Sequence, residues 1–301
     1  MTIPRSRPAD VRASESPLVP GEFLLTMEDF RRIAAMLYAD AGIHLPESKA
    51  TLVYSRLAKR VRLLGLESFR SYCELVAAPD SGVDERQRML AALTTNVTRF
   101  FREPHHFQHL KAKVLPPLLS AARQGKEIRI WSAGCSNGQE AYSIALTILE
   151  LMPEAANYDV RILATDIDPN VVAEGRDGEY SNSVVDAVSP DLRKRWFTPV
   201  KGNGEMRWSV NDELRTLVTF RELNLIGNWP MRRKFNVIFC RNVVIYFDDG
   251  TQKKLWGRFL PLLAPGAVLY IGHSERLSGP AADRFESDGI TTYRLKDGAS
   301  T

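Results

Sequence analysis

The stretch Ile128 to Leu146, "IRIWSAGCSNGQEAYSIAL", sets small, hydroxyl and acidic residues between a strand-like run and a helical one. Two chemistries use that arrangement. In one, Gly134 and Gly138 let the backbone approach a nucleotide-like cofactor, with the partly positive helix start behind them. In the other, Gly134-Cys135-Ser136-Asn137-Gly138 is a G-x-S-x-G nucleophile elbow with Ser136 exposed for attack. A later acid and His273 near the last strands would then complete the chain order of an α/β-hydrolase. The cofactor reading accounts for more residues. Asp166 lies 28 residues beyond Gly138, at the end of the next strand-like run, where an acid accepts bonds from both ribose hydroxyls. The blander role for Asp166 is to cap the helix that "DIDPNVV" begins. The turn is not G-x-G-x-x-G, so a nucleoside without phosphates fits it better than a dinucleotide. S-adenosylmethionine is such a nucleoside, and its sulfonium suits Glu140 and Asp166.

Three histidines, His105, His106 and His109, are the tempting metal ligands, two of them on one helix face. No Cys or acid cluster completes a site in the sequence, so no metal is expected. His273, in "GHSE", either lines the site or satisfies a turn.

The elements that must position these residues have two grammars. Residues 22–88 read as all-helical. "TMEDFRRIAAMLYADAG" runs from an N-cap Thr26 to Gly42 with Phe30, Ile33 and Leu37 at helical spacing. "PESKATLVYSRLAKRVRLLG" and "SFRSYCELVAA" follow, and "APDSGVDER" is the expected linker. Beyond it, strands alternate with helices: "EIRIWSA", "DVRILATDID", "TLVTFRELNL", "FNVIFCRNVVIYF", "AVLYIGHSE" and "TTYRLK". That alternation predicts an α/β domain, a mostly parallel sheet with helices on both faces, over 89–296. Ligands of such sheets lie beyond the C-terminal ends of the strands. Asp166, Asn224 and Arg241-Asn242 all fall there. Within about 176–214 the alternation pauses. "RWFTPVKGNGEMRWSV" reads as a β-hairpin turning at Gly202-Asn203-Gly204, an inserted antiparallel subdomain.

A chain of 301 residues, 44% hydrophobic and 25% charged, suits about two globular domains of ~100–200 residues each. No apolar run approaches the ~18 residues of a membrane span, and residues 1–21 read as a polar disordered tail without a secretory h-region. Residues 297–301 form a second tail. Cys73, Cys135 and Cys240 have no metal spacing and cannot all pair, which points to a reducing cytoplasm.

Taken in order, "TTNVTRFFRE", "WSAGCSNGQEAYSIA", "ATDIDPNVV", "FCRNVVIYFD" and "IGHSE" resemble the chemotaxis receptor methyltransferases, the CheR family, over about residues 22–296. The resemblance implies a small helical N-terminal domain, then a Rossmann-like methyltransferase domain carrying an inserted antiparallel β-subdomain. It implies transfer of methyl from S-adenosylmethionine to glutamate side chains of chemoreceptors. By the same resemblance, the cofactor is held by Asn96, Thr98, Arg102, Glu140, Asp166, Asn224, Leu225, Arg241 and Asn242. The sequence departs from the family's usual G-E-E-P-Y at Gln139 and Ala141 and keeps Glu140.

An ionised carboxylate is already a nucleophile, so the reaction needs alignment and exclusion of water more than a base. Arg102 and Tyr246 are the residues expected to hold the acceptor carboxylate, by a bidentate guanidinium and a phenol donor. The segment Ser48 to Leu66 carries Lys49, Arg56, Lys59, Arg60 and Arg62 and no acid, beside an apolar stripe of Val53, Leu57, Val61 and Leu64. Such a face is either solvated or a docking face for an acidic helix. The resemblance favours docking on glutamate-rich receptor helices; only some members of the family also meet a receptor C-terminal peptide through the β-subdomain, and the sequence leaves that open here. No nucleic acid or membrane insertion is expected, and the chain is expected to be a monomer.

Overall fold

The computed structural model describes residues 16–201, 204–296 and 298. Most of the two expected tails, and Gly202-Asn203 of the expected hairpin turn, lie outside the described residues. The chain divides into two compact units between Thr95 and Asn96.

The first unit is built of α1 (Met27–Ala41), α2 (Ala50–Leu63), α3 (Phe69–Ala77) and α4 (Val83–Leu93). Thr26 and Asp29 cap α1 reciprocally: the Thr26 hydroxyl accepts from the Asp29 amide and the Asp29 carboxylate from the Thr26 amide. Gly42, left-handed, ends the helix by donating to the Tyr38 carbonyl at 2.8 Å. The helices close on Phe30, Ile33, Leu37, Val53, Leu57, Val61, Phe69 and Tyr72, all buried. Two expectations need correcting here. The second half of "APDSGVDER" is not linker but the first turn of α4. Its Glu85 is 4% exposed and accepts from the Tyr72 hydroxyl at 2.9 Å and Arg60 Nε at 2.8 Å, so composition misread a packed charge as a solvated one. For the same reason Arg56 and Arg60 are not free for a partner. Arg60 belongs to that Glu85 pair, and Arg56 donates to the carbonyls of Leu93 and Thr94 at 2.9 and 2.7 Å, closing the C-terminal end of α4. Arg62 pairs at the surface with Glu22, while Lys49 and Lys59 are exposed.

The second unit opens with α5 (Pro104–His109), a π-turn (Leu110–Val114) and α6 (Leu115–Arg123). Then come β1 (Ile128–Ala133), α7 (Gln139–Leu151), β2 (Val160–Asp166) and α8 (Pro169–Asp177). The inserted part holds β3 (Glu179–Ser181), α9 (Asn182–Val185), α10 (Pro190–Trp196), β4 (Phe197–Lys201) and β5 (Met206–Val210). The main sheet resumes through α11 (Asp212–Leu217), β6 (Val218–Glu222), β7 (Phe235–Cys240), α12 (Asp249–Phe259), β8 (Leu263–Ile271), β9 (Phe285–Gly289) and β10 (Thr292–Leu295). Seven strands lie in the order β6-β2-β1-β7-β8-β10-β9. The first four pairings are parallel, and β10 runs antiparallel to both its neighbours.

The chain winds outward from β1 through β2 to β6, then returns to β1's other edge as β7. The switch point is therefore at the tips of β1 and β7, where a doubly wound sheet binds its ligand. Ile128, Ile130, Ile162 and Ala164 pack on one face with Ile144 and Leu146 of α7, while Trp131 faces the other way, against Trp229 and Phe259 with ring centroids 5.1 and 5.3 Å apart. Two strands are shorter than expected. In "TLVTFRELNL" the first residues end α11, and in "FNVIFCRNVVIYF" the strand stops at Cys240. The inserted strands form their own antiparallel sheet, β3-β5-β4, braced by Phe100, whose ring meets Tyr180 and Phe197 edge-on at 5.2 and 5.8 Å.

Candidate active site

The turn after β1 is held open by backbone geometry. Gly134 has φ 80, and a Cβ there would overlap the Val243 side chain of the loop after β7. Gly138, also at positive φ, starts α7. The turn then closes on Asp166 at the tip of β2. One Asp166 oxygen accepts the Ser136 amide at 2.8 Å and the other the Asp168 amide at 3.1 Å. A carboxylate oxygen has two acceptor positions, so each keeps one for a hydroxyl. Burial pushes the Asp166 carboxyl above its ordinary value, and the amides of Asp168, Ser136 and Ile167 oppose that.

Ser136 is not a nucleophile elbow. It is 8% exposed, and its hydroxyl donates to the Asn96 carbonyl at 3.0 Å. The Asn96 side chain in turn donates to Asp168 at 2.9 Å. The segment from Asn96 through Thr98 to Glu103 is thus laid along the cofactor turn, with the Phe101 amide on the Ser143 hydroxyl of α7 at 2.9 Å. Non-glycine residues at positive φ gather here: Phe101, Glu103, Ser136 and Asn242 account for all but one of those described. Each costs on the order of 1–3 kcal/mol, and such strain collects where ligands are held.

Glu140 does not stand open to a sulfonium, as its charge alone suggests. Ser132 donates to one oxygen at 2.7 Å and Arg241 to the other at 2.8 Å. Arg241, 5% exposed, also donates to the Arg102 carbonyl and stands 3.3 Å from Glu103. Its Nε has no hydrogen-bond partner among the described residues, a buried donor suited to a ligand's carboxylate. Next along, Asn242 is left-handed at φ 59, and the loop from it to Val244 is organised by a residue absent from the expected site, Glu275. That carboxylate, 4% exposed, accepts the amides of Asn242, Val243, Val244 and Gly272 at 2.6 to 3.0 Å. Burial raises its pKa while the four amides pull it down. The signal in the sequence was only "GHSE" after a strand. Asn224 turns the chain after β6, its side chain accepting from the Ile226 amide at 3.0 Å. Arg258 of α12 holds Leu225 by its carbonyl at 2.7 Å and stacks 4.0 Å over Trp229. Arg102 spends one guanidinium nitrogen on the Val97 carbonyl at 2.8 Å, and Tyr246 is half-exposed in a single helical turn after β7.

The histidines divide. His109 bonds the Tyr270 hydroxyl at 2.9 Å through Nδ1 and faces Asp288 at 3.3 Å through Nε2. Ligand atoms of Glu103, His105 and His106 lie within 4.8 Å of one another, but Arg241 already supplies a cation 3.3 Å from Glu103. Burial, Arg241 and His105 push His106 down to about 3, so it is neutral. Burial alone would raise Glu103, yet Arg241 and the His273 hydrogen bonds hold it below its ordinary value.

The glycine turn, the Asp166 acceptors and the orphaned Arg241 donor fit S-adenosylmethionine, whose ribose and amino-acid ends need such partners. Residues 96–294 match the family model "CheR methyltransferase, SAM binding domain", and residues 28–94 match "CheR methyltransferase, all-alpha domain". A probable chemotaxis protein methyltransferase of Rhizobium etli is 59% identical over 259 residues, 86% of this chain and 96% of that protein. Chemotaxis protein methyltransferase 2 of Pseudomonas aeruginosa is 40% identical over 97% of this chain and 99% of its own. A chemotaxis protein methyltransferase of Salmonella typhimurium is 40% identical over 88% and 89%. The chain belongs to the CheR family of S-adenosylmethionine-dependent methyltransferases.

Proposed function

We propose that this chain esterifies glutamate side chains of chemoreceptors, drawing the methyl group from S-adenosylmethionine held at the β1–β2 tips. The observation that carries the cofactor's position is Asp166, with one acceptor position left on each oxygen after the Ser136 and Asp168 amides are counted. Bound there, S-adenosylmethionine supplies an electrophilic methyl on a sulfonium. The protein's residues do the rest. Asn96, Thr98, Asn224 and Leu225 enclose the nucleoside side in this reading, and Arg241, Asn242 and Arg102 the amino-acid side. Glu140 acts through Arg241, which it neutralises and aims at 2.8 Å.

Arg102 and Tyr246 orient the acceptor carboxylate behind the methyl group. Two guanidinium nitrogens of Arg102 remain for it after the Val97 contact. These contacts align the oxygens without removing a proton, and alignment with exclusion of water is worth ~7–11 kcal/mol in well-oriented systems. In the helical unit, Lys49 and Lys59 are the exposed cations of α2 and its entry turn offered to an acidic receptor helix, and Arg62 joins them only by exchanging its surface pair with Glu22. The three-stranded sheet is the proposed place for a receptor C-terminal peptide. The three cysteines are free and buried, which suits a cytoplasmic reaction, and no described helix is long and apolar enough to cross a membrane.

The test is transfer of radiolabelled methyl to purified receptor cytoplasmic fragments, with and without their C-terminal tails. Glutamyl methyl esters release methanol in mild alkali. Label that survives alkali would mean methylation of a different group and overturn the assignment.

A further inference from the structure

We propose that His273 is a further residue of the acceptor side, held through Nδ1 by Glu103 and presenting Nε2 to the methyl-accepting carboxylate. This deepens the function proposed above and rests on it.

Three loops meet at the tips of neighbouring strands. The β1 turn touches the β7 loop where Gly134 leaves room for Val243. The β7 loop is tied to the β8 loop by Glu275, which binds the amides of Asn242 and Gly272 together. His273 follows directly on Gly272. An in-line displacement puts the acceptor on the far side of the methyl group from its sulfur. With the nucleoside on Asp166 and the β1 turn, the acceptor in this proposal lies over the β7 and β8 loops, which carry Tyr246 and His273.

Glu103 fixes the imidazole. One of its oxygens takes His273 Nδ1 at 3.2 Å, the His273 amide at 3.4 Å and the Asn242 side chain at 3.4 Å, while the other faces Arg241 at 3.3 Å. Glu103 is only 11% exposed by side chain and is left-handed, φ 59, a strained backbone for a residue with a Cβ. An ionised carboxylate only accepts, so the proton of this contact sits on Nδ1, and Nε2 is the nitrogen left over. The His273 side chain is 65% exposed, so Nε2 has no need of a structural partner. In the imidazolium form, Nε2–H donates a charge-assisted hydrogen bond to a carboxylate oxygen. His273 would then complement Arg102 and Tyr246, with Glu103 as the positioning residue behind it. If His273 serves only to tie the loop, its removal alters stability and leaves receptor kinetics alone.

The experiment compares wild type, His273→Ala, His273→Gln and Glu103→Gln. Initial rates of alkali-labile methyl incorporation are measured against concentration of a receptor cytoplasmic fragment, and S-adenosylmethionine affinity is measured by calorimetry. The expected result is a fall of about tenfold in kcat/KM for the fragment with His273→Ala, while cofactor affinity stays within about twofold. His273→Gln recovers part of the loss, because its amide can donate from near the Nε2 position. Glu103→Gln followed by His273→Ala costs less than the sum of the two, since the pair acts as a unit. Wild-type kinetics in His273→Ala would overturn the inference, as would a cofactor affinity that falls in step with the rate. Absence of any ester with the wild-type protein would instead overturn the function on which the inference rests.

Discussion

The turn after β1 and the loop after β7 face each other across the switch point, and they are built differently. The first is local. Gly134, Ser136 and Gly138 bend within five residues and close on Asp166 of the adjoining strand. The second is held from a distance. Its amides at Asn242, Val243 and Val244 all end on Glu275, more than thirty residues later, and its Arg241 is clamped between Glu140 and Glu103. A turn of the first kind can be read as a pattern. A loop of the second kind depends on which distant carboxylate the fold brings to it.

The largest expected effect breaks the distant support. Glu275→Ala leaves four amide donors without their acceptor, those of Val244 and Gly272 buried, and at ~1–3 kcal/mol for each buried donor the loss is on the order of 4 kcal/mol of stability. Urea unfolding measures it, and Glu275→Gln, which keeps an acceptor oxygen, should recover part. A change of only a few tenths would mean that the β7 loop holds itself.

Gly134→Ala attacks the contact between the two loops. Its left-handed backbone costs about 1–2 kcal/mol with a Cβ, and overlap with Val243 adds roughly 1–3 kcal/mol. Val243→Ala in the same chain should relieve the second part and not the first. Independence of the two substitutions in a double-mutant cycle would show that the loops do not press on each other.

Smaller effects separate chemistry from support. Tyr246→Phe removes one hydroxyl from the β7 side. Turnover should fall by about tenfold while cofactor affinity stays near wild type, the sign of a contact made to the acceptor. Equal turnover would make Tyr246 a packing residue. Ser136→Ala, on the β1 side, loses one hydrogen bond to the Asn96 carbonyl and should cost about 1 kcal/mol with methyl transfer largely kept. Loss of activity in a folded Ser136→Ala protein would restore the nucleophile elbow.

The same contrast explains how much could be read from the chain. The alternation of strands and helices, the caps at Thr26 and Gly42, and the glycine turn with Asp166 are set by neighbours in sequence or by a repeating pattern. Glu275, Arg258 and Glu103 were missed as members of the site because each acts on backbone or charge that folding delivers from elsewhere. Glu85 and its partners Arg60 and Tyr72 were missed for a related reason. A charged stretch with Pro, Gly and Ser looks solvated until two residues from two other helices are seen to close on its one carboxylate. Arg56 on the carbonyls at the end of α4 is the same lesson. What was drawn as one basic docking face is partly the interior wiring of a helical unit.

The central claim is that Asp166 anchors the methyl donor through the acceptor positions left on its two oxygens. Calorimetric titration of S-adenosylmethionine into wild type and Asp166→Ala tests it most directly. Each hydrogen bond to a charged group is worth ~1.5–3 kcal/mol, so the variant should bind at least tenfold more weakly, by about 1.4 kcal/mol or more. Unchanged affinity in a folded Asp166→Ala protein would contradict the account and move the cofactor away from the tips of β1 and β2.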